Sequence, residues 1–295
     1  MVSNTSRQKG IVLLSAMLIV ITATTIMVSI SHDEAFSIRK TGRIQALERA
    51  GLYGMGLEDW ARTFLRKDYK DSKIDHLKED WAIAIPGLPI EDGFLSGFLE
   101  DEQAKFNINN LLGPPESMKR FKQLCDNLEI ECNFTDALLD WMDSDFNITY
   151  PDGVEDTYKN YRVANRPLVD ISELLLIKNM SVDTYNTLKP HVTALPAITN
   201  LNVNTMSGTV FKSLDANLDD ELFLDEREKA EFKNVQDFIT RLQKPIPIDG
   251  LSVDTNYFLA HGQVTQGEQS YAFDSLIHRD SNGATSVLNR TLGGL

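Results

Sequence analysis

Residues 11–30 read IVLLSAMLIVITATTIMVSI, a run of 20 without a charged side chain. A helix rises about 1.5 Å per residue, so this run spans roughly 30 Å, the thickness of a bilayer's hydrocarbon core. Arg7 and Lys9 stand just before it, and His32, Asp33 and Glu34 follow it. Basic residues tend to stay on the cytoplasmic side, which places the N-terminus there and exports the rest of the chain. That remainder is polar and acidic: 29 Lys and Arg against 43 Asp and Glu give a net charge of −14. Nucleic-acid binding needs clustered Lys and Arg, so the balance argues against a polyanionic partner.

Three readings of the apolar run are open. A secretory signal has an apolar core of about 7–15 residues and a small-residue cleavage site. This run is longer, and Val28-Ser29-Ile30-Ser31 is a poor site. A plain membrane anchor requires only the run itself. A pilin-type leader is a short basic peptide ending in glycine, removed ahead of an apolar helix that stays on the mature chain; Lys9-Gly10 before Ile11-Val-Leu-Leu14 has that form.

Outward from the run, residues 31–64 contain no proline, and Ala46, Ala50, Tyr53, Leu57, Trp60 and Phe64 recur at helical spacing. The helix therefore continues. Gly51, Gly54 and Gly56 weaken it by about 1 kcal/mol each and are read as points of close packing against a sheet. Residues 80–112 read as short strands joined by turns, with Trp81-Ala-Ile-Ala-Ile85 as one of them. From 116 to about 195 short helices are expected, with Thr135, Asp170 or Ser172, and Ser181 near their starts. Leu201-Asn-Val-Asn-Thr205 repeats the alternating asparagines of residues 106–110. Helices are expected near 208–214 and across 225–242, then a hairpin from 257–264 and 270–278. The Gly- and Asn-containing residues 281–295 read as a mobile tail. The result is an α+β fold carrying an α-helical insertion.

Chemistry concentrates in one loop. Asp143, Asp145, Asp152, Glu155 and Asp156, with Asn147, fall within 14 residues. Clustered carboxylates raise one another's pKa, and a hard cation with six to eight oxygen ligands relieves that repulsion; a solvated acidic loop is the competing reading. A second series, Asp215-x-Asn217-x-Asp219-Asp220 with Glu226, follows EF-hand spacing but has Asp220 where the turn needs glycine. Cys125 and Cys132 are either a disulfide, in an oxidising compartment, or two buried thiols. Nucleophile motifs and phosphate loops are missing from the sequence, and the five histidines share no spacing. No catalytic residue is assigned.

With these residues in view the chain resembles, over nearly its whole length, the minor pseudopilin K family of bacterial type II secretion (general secretion pathway protein K). The resemblance rests on Gln8-Lys-Gly10 before the apolar run, Lys105-Phe-Asn-Ile-Asn-Asn-Leu111, Leu138-Leu-Asp-Trp-Met-Asp-Ser-Asp145 and Gly153-Val-Glu-Asp156 with Tyr158. It continues through Tyr161-Arg-Val-Ala-Asn-Arg-Pro-Leu-Val-Asp-Ile-Ser-Glu-Leu174, Thr193-Ala-Leu-Pro196 and Asn202-Val-Asn-Thr205. It implies a pilin-like fold: a long N-terminal transmembrane helix packed on a small antiparallel sheet, with a large α-helical, SAM-like domain inserted between strands. The division is then a leader at 1–10, a helix at 11–66 that spans the membrane at 11–30, and a pilin-like domain in two parts, 67–112 and 201–280. The insertion takes 113–200 and a flexible tail 281–295.

The resemblance further implies cleavage after Gly10 by a prepilin peptidase that methylates Ile11. The partners it implies are minor pseudopilins I and J in a tip complex, with pseudopilin H and the major pseudopilin below. It implies calcium on Asp143, Asp145, Glu155 and Asp156, with Asp152 more variable. Most pilins carry Glu at mature position five, where it pairs with a neighbour's terminal amine; here that position is Ser15, as suits a subunit with none beyond it. The expected function is a pseudopilus tip subunit that initiates assembly and supports export across the outer membrane, anchored in the inner membrane with a periplasmic C-terminal domain. The alternative is a membrane-anchored exported enzyme that uses the acidic loop and its metal.

Overall fold

The computed structural model describes residues 5–294 apart from Asp92, Asp156, Thr157, Lys159, Asn160 and Glu268. The chain divides into two compact units, residues 1–53 and 54–295. In the first, helix α1 (Thr5–Asp71) begins. Every side chain from Ile11 to Gln45 is exposed. A helix apolar on all faces is suited to lipid rather than to water. The hydroxyls of Ser15, Thr22, Thr24 and Thr25 fold back on their own backbone: Ser15 Oγ donates to the Val12 carbonyl (2.9 Å) and Thr25 Oγ1 to Ile21 (2.8 Å). Lipid offers no partner, so polar groups there must be satisfied internally.

In the second unit α1 buries Leu57, Ala61 and Leu65 at helical spacing, while Trp60 and Phe64 pack on each other with ring centroids 4.4 Å apart. A 3₁₀ turn (Asp80–Ala82) follows where alternation suggested a strand. The reason is Trp81, whose ring is buried and whose Nε1 donates to Glu79 Oε2 at 2.8 Å, folding the backbone over it. Strands β1 (Ile85–Ile90) and β2 (Gly93–Asp101) form a hairpin. The chain then passes through β3 (Phe106–Asn107), α2 (Pro115–Asn127), α3 (Thr135–Met142), α4 (Val182–Leu188) and β4 (Val192–Thr193). Next come β5 (Leu201–Asn202), α5 (Gly208–Lys212), α6 (Asp220–Lys229), α7 (Val235–Leu242) and β6 (Leu251–Ser252). It returns as β7 (Tyr257–Gln266), β8 (Gln269–Arg279) and β9 (Thr285–Gly294).

Five strands make one antiparallel sheet in the order β1-β2-β7-β8-β9. Residues 285–294 are thus an edge strand hydrogen-bonded along β8, not a flexible tail. Local composition suggested mobility; pairing with a ready-made neighbour overrides it. The sheet and α1 share a core of Ala61, Leu65, Trp81, Leu99, Phe258, Ala260 and Ile277. Phe273 fills space that glycines leave open. A Cβ on Gly262 would lie 1.8 Å from its ring, and one on Gly54 would lie 3.2 Å away. Gly51 and Gly56 face no atom within 4 Å, so the close-packing reading holds for Gly54 alone.

The excursion between β2 and β7 covers residues 102–256 and is longer than the expected insertion at 113–200. It contains two helical cores, and the second occupies residues assigned from sequence to the pilin-like part. Each is closed by a short parallel strand pair, β3 with β4 and β5 with β6. One local plan serves both. Asn107 Oδ1 accepts from Asn109 N, and the Asn109 amide clamps both backbone groups of Leu168 (2.8 and 2.9 Å). Asn202 Oδ1 accepts from Asn204 N, and Asn204 clamps both backbone groups of Phe232 (2.8 and 3.0 Å). Two residues after each clamped residue comes a cap, Asp170 or Asn234; three further on, Glu173 or Asp237 returns a carboxylate to the N–H before the cap. Buried amides are tolerable only with such partners. The second clamp also interrupts the helix expected across 225–242, since Phe232's backbone is committed to Asn204. In the first core, Cys125 and Cys132 are joined as a disulfide, with Cα atoms 6.1 Å apart.

Where the excursion leaves and returns, buried charges converge. Arg279 of β8 bonds both oxygens of Asp75 (2.5 Å each), Asp68 of α1 (3.1 Å) and the Thr255 carbonyl (2.9 Å). Asp75 also accepts from Thr255 N. Asp101, at the end of β2, accepts from Thr205, Thr255, Asn202 and Gln103. Asp68 and Asp75 share one guanidinium, and the carboxylate of Glu79 lies beside them. Burial, then Glu79 and Asp75, push Asp68 up to about 7 against the pull of Arg279.

Removing one partner of a buried pair strands the other charge and costs about 3–5 kcal/mol. Arg279→Met should therefore lower the thermal midpoint by on the order of 10 °C, read by circular dichroism of the full chain in detergent; an unchanged midpoint would show that the carboxylates do not depend on it.

A second charged group lies across the sheet. His261 of β7 is held between Asp274 of β8 (2.8 Å) and Glu100 of β2 (3.2 Å). Burial opposes its charge, but those hydrogen bonds outweigh it and hold the imidazole up to about 9. Burial likewise opposes ionised Glu100, yet His261 and Lys105 bring it down to about 2. The His261 contribution to stability is complete below its ordinary 6.5 and is lost as pH rises through about 9. The Glu100 contribution is complete above 4.5 and is lost as pH falls toward about 2. The stability difference between wild type and His261→Gln should be greatest from pH 4.5 to 6.5 and vanish above 9; a difference independent of pH would rule out the charge as its source.

Candidate metal centre

The acidic loop leaves the end of α3. Asp140, on the buried side of that helix, is fully buried although it lies among Ala137, Leu138, Trp141 and Met142. Its Oδ1 accepts from Thr149 N at 2.9 Å, which draws the loop across it. Its Oδ2 is buried with no hydrogen-bond partner, as is Oδ1 of Asp143. Burial, then the charges of Asp145 and Asp140, raise the Asp143 pKa. Gly153 closes the loop on the same spot: its N–H donates to the Thr149 carbonyl at 2.7 Å, and a Cβ there would lie 2.4 Å from Asp140 Oδ2. Glu155 is buried nearby in sequence. On the far side Tyr158 and Tyr161 stack on each other (4.8 Å) and meet Trp141 edge-on, both at 5.9 Å.

Of the residues chosen from sequence, Asp143 and Glu155 are drawn inward, whereas Asp145 is exposed and accepts from Asn147 N at 2.7 Å. Asp152 is half-buried and donates its backbone N–H to Asp136. Asp156 lies outside the described residues. Asp140 escaped the sequence reading. Its signal was a carboxylate inside an apolar helical run, where an ionised group has no ordinary reason to be. The buried, unpartnered carboxylate oxygens of Asp140 and Asp143 suit a hard cation, which takes oxygen ligands and balances their charge.

Among the described residues, the group of three carboxylates whose ligand atoms lie within 4.8 Å of one another is Asp68, Asp75 and Glu79. That spacing is one a metal ion can bridge, and sequence reading missed it because the residues meet only through the fold. Arg279 is lodged there, bonded to Asp68 and Asp75, while Glu79 Oε2 accepts from His76 N and Trp81 Nε1. A protein cation already meets this charge. The EF-hand-like series is likewise engaged: Asp219 caps α6, Asp220 pairs with Lys212 (2.9 Å), and Glu226 pairs with Arg241 (3.1 Å) and Lys229 (2.7 Å). These are capping and pairing roles, not a calcium loop.

One helix among the described residues is long and apolar enough to cross a membrane, and it continues into a domain whose antiparallel sheet it packs against. A single-pass anchor grown into a sheet-packed helix, with helical cores inserted between strands, defines a membrane-anchored subunit of the pilin class. A family profile described as "Type II secretion system (T2SS), protein K" matches residues 104–197. Type II secretion system protein K of Pseudomonas aeruginosa is 31% identical, over 97% of this chain and 93% of its own length. That of Aeromonas hydrophila is 29% identical over 98% of each. A chain of the solved GspK–GspI–GspJ complex from the type 2 secretion system of enterotoxigenic Escherichia coli superimposes with a TM-score of 0.78 at 27% identity, covering 86% of this chain and 99% of that one. The chain belongs to the type II secretion system protein K family. It is a minor pseudopilin with a non-catalytic role, which sets aside the reading as an exported enzyme.

Gly153→Ala tests the loop geometry. The added methyl meets the Thr149 carbonyl and Asp140, neither of which can retreat without unmaking the loop. A loss of about 1–3 kcal/mol is expected in denaturant unfolding; a neutral result would mean that the loop does not close on Asp140.

Proposed function

We propose that this chain is the tip subunit of a type II secretion pseudopilus and initiates its assembly with minor pseudopilins I and J, above pseudopilin H and the major pseudopilin. The single observation that carries this reading is the match, over nearly the whole chain, to relatives of that family, together with the likeness to a chain solved in complex with GspI and GspJ. Prepilin peptidase cuts after Gly10 and methylates Ile11. The N-terminus is cytoplasmic and the C-terminal domain periplasmic, in keeping with Arg7 and Lys9 before the span and acidic residues after it. Ser15 supports a terminal position: its hydroxyl is satisfied by its own helix, so it needs no neighbour's amine. The helical insertion is SAM-like, and its acidic loop holds calcium through Asp143 and Glu155, with Asp145, Asp152 and Asp156 as further ligands and Asp140 beneath them. Bound there, the ion supplies positive charge that pins the loop to α3, a structural role.

A strain lacking the protein should fail to assemble pseudopili and to secrete, and the mature chain should begin at methylated Ile11 by mass spectrometry. Calcium should raise the melting temperature of the full chain in detergent, and Asp140→Asn with Asp143→Asn should remove most of that rise. Normal secretion in the deletion strain would sink the tip reading, while calcium-independent melting would sink only the metal.

A further inference from the structure

The two edges of the sheet are built differently. At β1, Pro86 and Pro89 remove backbone donors and the register is irregular between Ile85 and Leu88. Both devices discourage another strand from pairing. Strand β9 has no proline, and residues 288–293 are exposed. Its one charge, Arg290, is turned onto Glu58 of α1 (2.6 and 2.8 Å) and does not guard the edge. The β9 edge therefore presents a run of backbone N–H and C=O groups, a template for an added strand.

A cleft of about 630 Å³ opens beside it, between the sheet and the first helical core. Asn289 and Thr291 of β9 line it, with Leu259 and Leu276 from the sheet and Ile171 and Pro190 opposite. Alternate residues of a strand share a face, so a strand laid on β9 would direct every second side chain toward this cleft. The charges in its wall are largely matched from within: Lys105 pairs with Glu100 and Glu102, and His261 with Asp274 and Glu100. Leu259, Leu276, Ile171 and Pro190 are left to receive apolar side chains.

We infer that the β9 edge with its adjoining cleft is a docking site for an extended segment of a partner polypeptide, which adds a sixth strand and places alternate apolar side chains in the cleft. Backbone hydrogen bonds supply affinity and the cleft supplies selectivity. A second copy of this chain is disfavoured as occupant because each copy carries a net charge of −14. None of the residues that form this surface belongs to the acidic loop, so its test is independent of the metal proposal.

The probe is a fluorescent peptide of alternating Val and Thr, titrated by anisotropy into the full chain in detergent. Saturable binding is expected. It should weaken at least tenfold when alternate peptide nitrogens are methylated or when the valines become aspartates. It should weaken similarly with Leu292→Pro, and with Asn289→Trp, which fills the cleft and retains the backbone; Leu88→Pro, on the opposite edge, should bind as wild type does. Thermal midpoints near that of wild type establish that the variants are folded. Binding indifferent to methylation or to both β9-side variants would overturn the inference, as would sedimentation showing that the chain pairs with itself through β9.

Discussion

Arg279 and Asp75 form the contact on which the arrangement of the second unit depends. Both are buried, and each would be costly alone. The pair takes its remaining partners from separate parts of the chain: Asp68 at the end of α1, Thr255 just before β7, and β8 itself. Asp101, joined to the pair through Thr255, collects Asn202 and Thr205 from the second helical core. The place where the chain leaves the sheet and the place where it returns are thereby fastened to the end of the long helix. A hydrophobic contact would tolerate some sliding at this junction. Here Arg279 Nη2 is held by both oxygens of Asp75 while Nη1 reaches Asp68, which fixes direction as well as distance.

Much of the fold was legible because it is written in local signals. The apolar run of residues 11–30, the continuing stripe through Leu57, and the caps at Asp170 and Ser181 need no knowledge of distant residues. The β7–β8 hairpin alternates as a hairpin should. What was misread depends on remote partners. Residues 285–294 look like a tail until β8 is beside them. Trp81 looks like the start of a strand until its ring is buried and Glu79 takes its N–H. The helix expected across 225–242 breaks because Asn204, far upstream, holds the backbone of Phe232.

The candidate site shows the same division. Carboxylate density in residues 143–156 marked the loop, but density does not say which groups are turned inward. Asp140 was hidden inside an apolar helical stretch and emerges only as a buried oxygen without a partner. The repeated alternating asparagines were visible in sequence. Their meaning was not: each set is an Asx turn followed by a two-point clamp, used once in each helical core.

The long excursion between β2 and β7 has a consequence for the order in which the domain forms. Each helical core is built mainly from its own stretch of chain and closes on its own short strand pair. Such contacts are reached quickly, whereas strand β2 pairs with β7 only after residues 102–256 have intervened. A chain emerging from its N-terminus thus holds a two-stranded hairpin with one open side while two helical lobes mature. The sheet is the last layer to close, and until then β2 is the segment most exposed to mispairing and the one a chaperone gains most by covering.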